Sequence, residues 1–100
     1  MDMKERLLKY NRDNKEQNEI LVAINSIGKE ASIEQISKVL SRERNFVVAD
    51  CDKLESHGVL YQKFGYTNYG QTSFYGLTNK GSIRLNNYLI VRRRILNEAR

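Results

Sequence analysis

The sequence predicts a single α+β domain that is mostly helical, and three observations predict it. From Lys15 to His57 apolar residues recur at helical spacing between capping residues and glycines. From Val59 to Leu77 the chain turns rich in β-branched and aromatic residues around a glycine-bearing turn, and after Thr78 the helical period returns. At 100 residues the chain has room for one core, and no proline, repeat or low-complexity tract marks a linker.

Residues 1–13 form an N-terminal helical arm in this reading. Asp2 caps it with Glu5 three residues on, and Met3, Leu7 and Tyr10 share one face. Residues 15–57 hold three helices. Lys15 to Ile27 carries Ile20, Leu21, Ile24 and Ile27 on one stripe, follows a possible cap within Asn11 to Asn14, and stops at Gly28. Ser32 and Gln35 make a capping box for a short helix from Ile33 to Leu40, with Ile36, Val39 and Leu40 inward. A tight turn at Ser41-Arg42-Glu43 leads to a third helix from about Arg44 to His57, whose core stripe is Val47, Cys51 and Leu54 and which Gly58 ends.

Residues 59–77 form a β-hairpin, with strands Val59 to Phe64 and Thr72 to Leu77 and the turn at Gly65 to Gln71. Residues 78–98 form a long C-terminal helix capped by Thr78. On it Leu85, Tyr88, Leu89, Arg92 and Leu96 fall on one side and Ile83 and Ile90 on the other, so this helix has two things to pack against, one of them a candidate second subunit.

The charge is uneven. The net charge is +5, yet the first 58 residues are close to neutral. Between Ser56 and Asn97 there is no Asp or Glu, while Lys63, Lys80, Arg84, Arg92, Arg93 and Arg94 all lie there. Such a segment fits a polyanion or a solvated basic face.

Two phrases resemble known regulators. Asp52-Lys53-Leu54-Glu55-Ser56-His57-Gly58-Val59-Leu60 is similar to the phrase that ends the recognition helix of MarR-like proteins. Leu77-Thr78-Asn79-Lys80-Gly81 is similar to their passage from wing to C-terminal helix. Over roughly Lys15 to Leu89 the chain thus resembles a winged helix-turn-helix protein. That resemblance implies double-stranded DNA as partner and a homodimer, and no cofactor is expected. The physical roles fit: Leu54 plugs the core, Gly58 takes a conformation other residues resist, and Gly81 lets the last helix approach the hairpin.

If the third helix enters a major groove, its outer face is Asn45, Ala49, Asp52 and Ser56, with Arg42 and Arg44 at the entrance and Lys53 at the edge. Asn suits adenine, Arg suits guanine or phosphate, and Lys suits phosphate. The wing offers Lys63, Tyr66, Asn68 and Tyr69, and the C-terminal helix offers Lys80 and Arg84. Tyr61, Phe64, Phe74 and Tyr75 read as packing under the sheet rather than stacking on bases.

The middle of the third helix departs from the regulator pattern. Phe46-Val47-Val48-Ala49 is apolar for a groove reader, and Asp50 and Asp52 face repulsion from phosphate. Plain core packing is one explanation. The other is pairing of recognition helices across a dimer, which resembles the small centromere-binding adaptors of tubulin-type plasmid and phage partition systems. It would add a filament-forming partition protein as partner. The candidate dimer residues are therefore Met3, Leu7, Tyr10, Val48, Leu85, Leu89 and Leu96.

An enzyme is not expected. His57 and Cys51 are the sole residues of their kinds, so neither a metal cluster nor a nucleophile–base–orienter triad can be built from the usual types. Asp50 and Asp52 point apart on a helix, and no phosphate-binding glycine loop occurs. Cys51 sits on the core stripe as a small hydrophobe, and a single cysteine fits a reducing compartment. With no long apolar run and no signal-like N-terminus, the expectation is a cytoplasmic protein with no membrane partner. The function expected is sequence-specific duplex binding as a repressor or partition adaptor; the alternative is a winged-helix protein-interaction module.

Overall fold

The computed structural model describes residues 2–6, 14–68 and 70–98. In chain order the elements are α1 (Lys15–Ile27), β1 (Glu30–Ser32), α2 (Ile33–Leu40), α3 (Arg44–Ser56), β2 (Leu60–Thr67), β3 (Gly70–Leu77) and α4 (Asn79–Glu98). Residues 3–6 are also helical. There the Glu5 amide donates to Asp2 Oδ1 at 2.8 Å, the expected cap, and Lys4 Nζ meets Glu98 Oε2 at 2.7 Å. Leu7, Tyr10 and Tyr69 lie outside the described residues.

The core forms where the helical stripes converge. Ile20, Leu21 and Ile24 of α1, Ile36 of α2, and Val47, Cys51 and Leu54 of α3 are all fully buried. Burying a Leu or Ile side chain stabilises by about 1.5 to 3 kcal/mol, so these stripes account for the helices better than propensity does. Val39, expected inward, is 54% exposed, because the eight-residue α2 turns only Ile33 and Ile36 fully into the core.

Local chemistry sets the boundaries. The Gln35 amide donates to Ser32 Oγ at 3.1 Å and the Ser32 amide to Gln35 Oε1 at 2.9 Å, which completes the capping box of α2. Ser41 then adopts a left-handed conformation, φ 52°, to make the turn into α3. At the end of α3, Gly58 (φ 73°) closes a Schellman motif: its amide donates to the Glu55 carbonyl and that of Val59 to the Leu54 carbonyl, both at 2.9 Å.

The sheet has the order β1-β3-β2, with both pairings antiparallel. β1 has no local signal in the sequence: three residues between Gly28 and a helix cap carry no strand period, and the segment forms because Glu30 to Ser32 lie against Gly76 to Phe74. The hairpin also runs further than the sequence suggests. Its strands continue to Thr67 and Gly70, through the stretch Gly65 to Gln71 that reads as a turn. Aromatic rings substitute for the missing side chains: Phe74 covers Gly65, and Tyr61 covers Gly76 so closely that a Cβ would strike its ring. Tyr75 is buried as expected, whereas Phe64 is 68% exposed on the projecting part of the hairpin, so it does not pack under the sheet.

The start of α4 is knotted to this corner. Thr78 Oγ1 accepts from the Gly81 amide at 3.1 Å, and the Thr78 amide donates to the Val59 carbonyl at 3.1 Å. Gly81 lies directly against that carbonyl. Leu85 and Tyr88 are thereby drawn into the core, which corrects the assignment of Leu85 to a dimer surface.

Candidate nucleic-acid interface

α3 is buried along one stripe and bare along the other. Asn45, Ala49, Asp52, Lys53 and Ser56 are exposed, and Phe46 is 60% exposed. Val48 is half-buried and packs against the protomer's own core.

The two acids of α3 have internal partners. Asp50 Oδ2 lies 2.8 Å from Arg42 Nη2, and Arg42 also approaches Glu16 Oε2 at 3.4 Å. Tyr75 donates its hydroxyl to Asp52 Oδ1 at 3.2 Å, tying β3 to α3. Burial, then the Asp52 charge, pushes the Tyr75 hydroxyl well above its ordinary value. Arg42, expected at the DNA entrance, is thus a largely buried brace between α1 and α3.

Arg44 is different. Its side chain is 61% exposed and its nearest carboxylate is Glu34, with Nε 3.5 Å from Oε1. The other Glu34 oxygen accepts from Thr72 Oγ1 of β3 at 2.9 Å. Burial works against ionisation of Glu34, but bonds from its own backbone amide, Thr72 and Arg44 prevail and hold its carboxyl below the usual range. Neither Glu34 nor Thr72 was marked by sequence: a first-turn Glu reads as helix chemistry, and nothing local reveals a partner 38 residues away.

On the wing, Tyr66 is 81% exposed and Asn68 is exposed, while Lys63 lies 3.8 Å from Glu30. Lys80 and Arg84 of α4 are engaged elsewhere. Lys80 Nζ donates to the His57 carbonyl at 2.8 Å, on the C-terminal end of α3. Arg84 is half-buried and donates to Asn18 Oδ1 at 3.0 Å and Gln17 Oε1 at 3.2 Å, so it pins α4 to α1 and is removed from the groove-facing set. The structure therefore gathers Arg44, Asn45, Ala49 and Lys53 on α3 and sets Arg42 and Arg84 apart as internal ties.

No family model and no curated protein matches the sequence. Solved structures do match. YusO protein from Bacillus subtilis has a TM-score of 0.71 at 17% identity, over 83% of this chain and 57% of that one. The apo form of MarR from E. coli scores 0.78 at 19% identity, over 96% and 72%. Bacillus subtilis PadR, solved in complex with operator DNA, scores 0.66 at 19% identity, over 74% and 45%. The chain spans under three fifths of YusO and under half of PadR. With its paired helices α2 and α3, its hairpin β2–β3 and its terminal helix, and with this likeness to those structures, the chain has the winged helix-turn-helix fold.

Proposed function

We propose that this chain is a single winged-helix domain that binds double-stranded DNA sequence-specifically as a homodimer, acting as a transcriptional repressor. One observation carries this reading: the inner stripe of α3 is fully buried while Asn45, Ala49, Lys53 and Ser56 stand bare, with Arg44 at the helix start. Asn45 suits an adenine edge and Arg44 a guanine edge or a phosphate. Lys53, Lys63, Tyr66 and Asn68 suit phosphates on either side. Asp50 is neutralised by Arg42, which removes its share of the repulsion the sequence implied, while Asp52 stays exposed and charged and accepts the Tyr75 hydroxyl. Dimerisation is supported by the exposed apolar side chains of Met3, Ile83, Leu89, Ile90 and Leu96.

The test is binding of a duplex across a salt series. Log affinity should fall against log salt with a slope of about −0.9 per phosphate neutralised. Arg44→Ala should cost about 1 to 3 kcal/mol if the side chain reads a base. A folded protein that binds no duplex at low salt ends the reading.

A second reading, a partition adaptor that covers arrayed repeats and engages a filament-forming protein, is favoured by Phe46, which stands exposed on α3 where a second recognition helix could meet it. Cooperative loading of several dimers on one long fragment would distinguish it from a repressor that binds as isolated dimers.

A further inference from the structure

We infer that Glu34 is a positioning residue, which from α2, anchored to the wing strand β3 through Thr72, holds Arg44 of α3 and so sets how selectively α3 tells one duplex from another. The inference rests on the DNA-binding reading above. Its basis is one carboxylate on which three elements meet: the first turn of α2, the first residue of α3, and the inner wing strand β3. Thr72 is only 8% exposed, so its hydroxyl is a fixed anchor 2.9 Å from Glu34 Oε2. Glu34 Oε1 in turn faces Nε of Arg44. The terminal nitrogens of Arg44 donate no hydrogen bond among the described residues, so the guanidinium is held along one edge with donors unspent.

Stability does not account for this pair. With side chains 61% and 53% exposed, it is a surface ion pair, and such pairs contribute little. Beside a polyanion a carboxylate is a cost, since it repels every phosphate alike. What it supplies is order: a long, flexible arginine gives up its freedom before the duplex arrives instead of on arrival. Repulsion weakens all duplexes equally, whereas a fixed guanidinium favours only those whose acceptors meet it. Glu34 therefore lowers affinity in general and raises the ratio between a preferred duplex and any other.

The experiment uses the full chain with two duplexes of equal length and composition, one recovered by selection from a random pool and one scrambled from it. Glu34→Gln should tighten binding to the scrambled duplex and lower the selected-to-scrambled ratio by about fivefold or more. Thr72→Val should lower the ratio too, while Thr72→Ser, which keeps the hydroxyl, should restore it. In an Arg44→Ala background Glu34→Gln should leave the ratio where it is. The Nε–H resonance of Arg44 should shift in Glu34→Gln and in Thr72→Val, and thermal melting confirms that each variant is folded. A wild-type preference that survives Glu34→Gln unchanged overturns the positioning role and leaves DNA binding intact. A wild-type protein that binds no duplex, or all duplexes alike, overturns both.

Discussion

The guanidinium of Arg42 lies 2.8 Å from the carboxylate of Asp50, and both side chains are four-fifths or more buried. In sequence these residues pull in opposite directions, one as a cation suited to DNA and the other as an acid hostile to it. In the fold they neutralise each other eight positions apart, and Glu16 brings α1 into the same cluster. The turn between α2 and α3 is thereby braced from below, which leaves Arg44 as the cation exposed at the start of α3.

Removing Arg42 should therefore damage the fold. Arg42→Ala leaves Asp50 without its partner in a poorly solvated place, a loss of about 1 to 3 kcal/mol. Urea denaturation measures it. The double variant Arg42→Ala/Asp50→Ala should lose less than the two single changes added together, since it strands no charge. An unchanged midpoint for Arg42→Ala would return the residue to the list of DNA contacts.

Cys51 should be chemically silent. It is fully buried, and burial first, then the flanking Asp50 and Asp52 charges, push its thiol up to about 12. Thiolate, not thiol, is the nucleophile, so a thiol reagent at mildly alkaline pH should modify the protein only as fast as it unfolds. Rapid labelling of the folded protein would contradict the packing of α3.

Acid should weaken the protein partly through Glu34. Its native carboxyl titrates below the ordinary 4.5, so the ionised form is the one favoured by folding. Its contribution is fully present above 4.5 and is lost as pH falls through the lowered native value. The stability gap between wild type and Glu34→Gln should thus be widest near neutrality and narrow below 4.5. A gap constant with pH would show that Thr72 and Arg44 do not favour the carboxylate.

Much of this fold is legible in the sequence because its signals are local. The capping box at Ser32, the stop at Gly58 and the cap at Thr78 each operate within a few residues, and each is where the spacing puts it. Long-range pairing is not legible. β1 exists only because β3 lies beside it, and the strands persist through Gly65 only because Phe74 reaches across. The candidate site divides in the same way. Exposure of Asn45, Ala49 and Lys53 follows from helical angles, whereas the fates of Arg42 and Arg84 are decided by Asp50 and Asn18, on other parts of the chain.

The oligomer should depend on the far part of α4. Leu85 is core, but Leu89 and Leu96 are 37% and 57% exposed. Light scattering of wild type should give twice 11.7 kDa, and Leu89→Glu/Leu96→Glu should give the monomer value with the helical content kept. A wild-type mass of 11.7 kDa at micromolar concentration would remove the dimer from the proposed function.

Gly81→Ala offers a prediction whose sign is opposite to the ordinary rule. Alanine inside a helix is usually better than glycine by about 1 kcal/mol. Gly81, the third residue of α4, instead lies against the carbonyl oxygen of Val59, and a Cβ there would overlap it. That oxygen cannot step aside, since it belongs to the chain leaving α3 for β2 and accepts the Thr78 amide at 3.1 Å. α4 would have to retreat, stretching the Thr78–Gly81 cap and loosening Leu85 and Tyr88 from the core. Overpacking of this kind costs about 1 to 3 kcal/mol, more than the alanine gain, so Gly81→Ala should lower the denaturation midpoint. Ser82→Ala, at the next and exposed position, is the control and should be neutral or stabilising. If both substitutions stabilise, α4 does not dock on the Val59 carbonyl, and its placement against the hairpin is wrong.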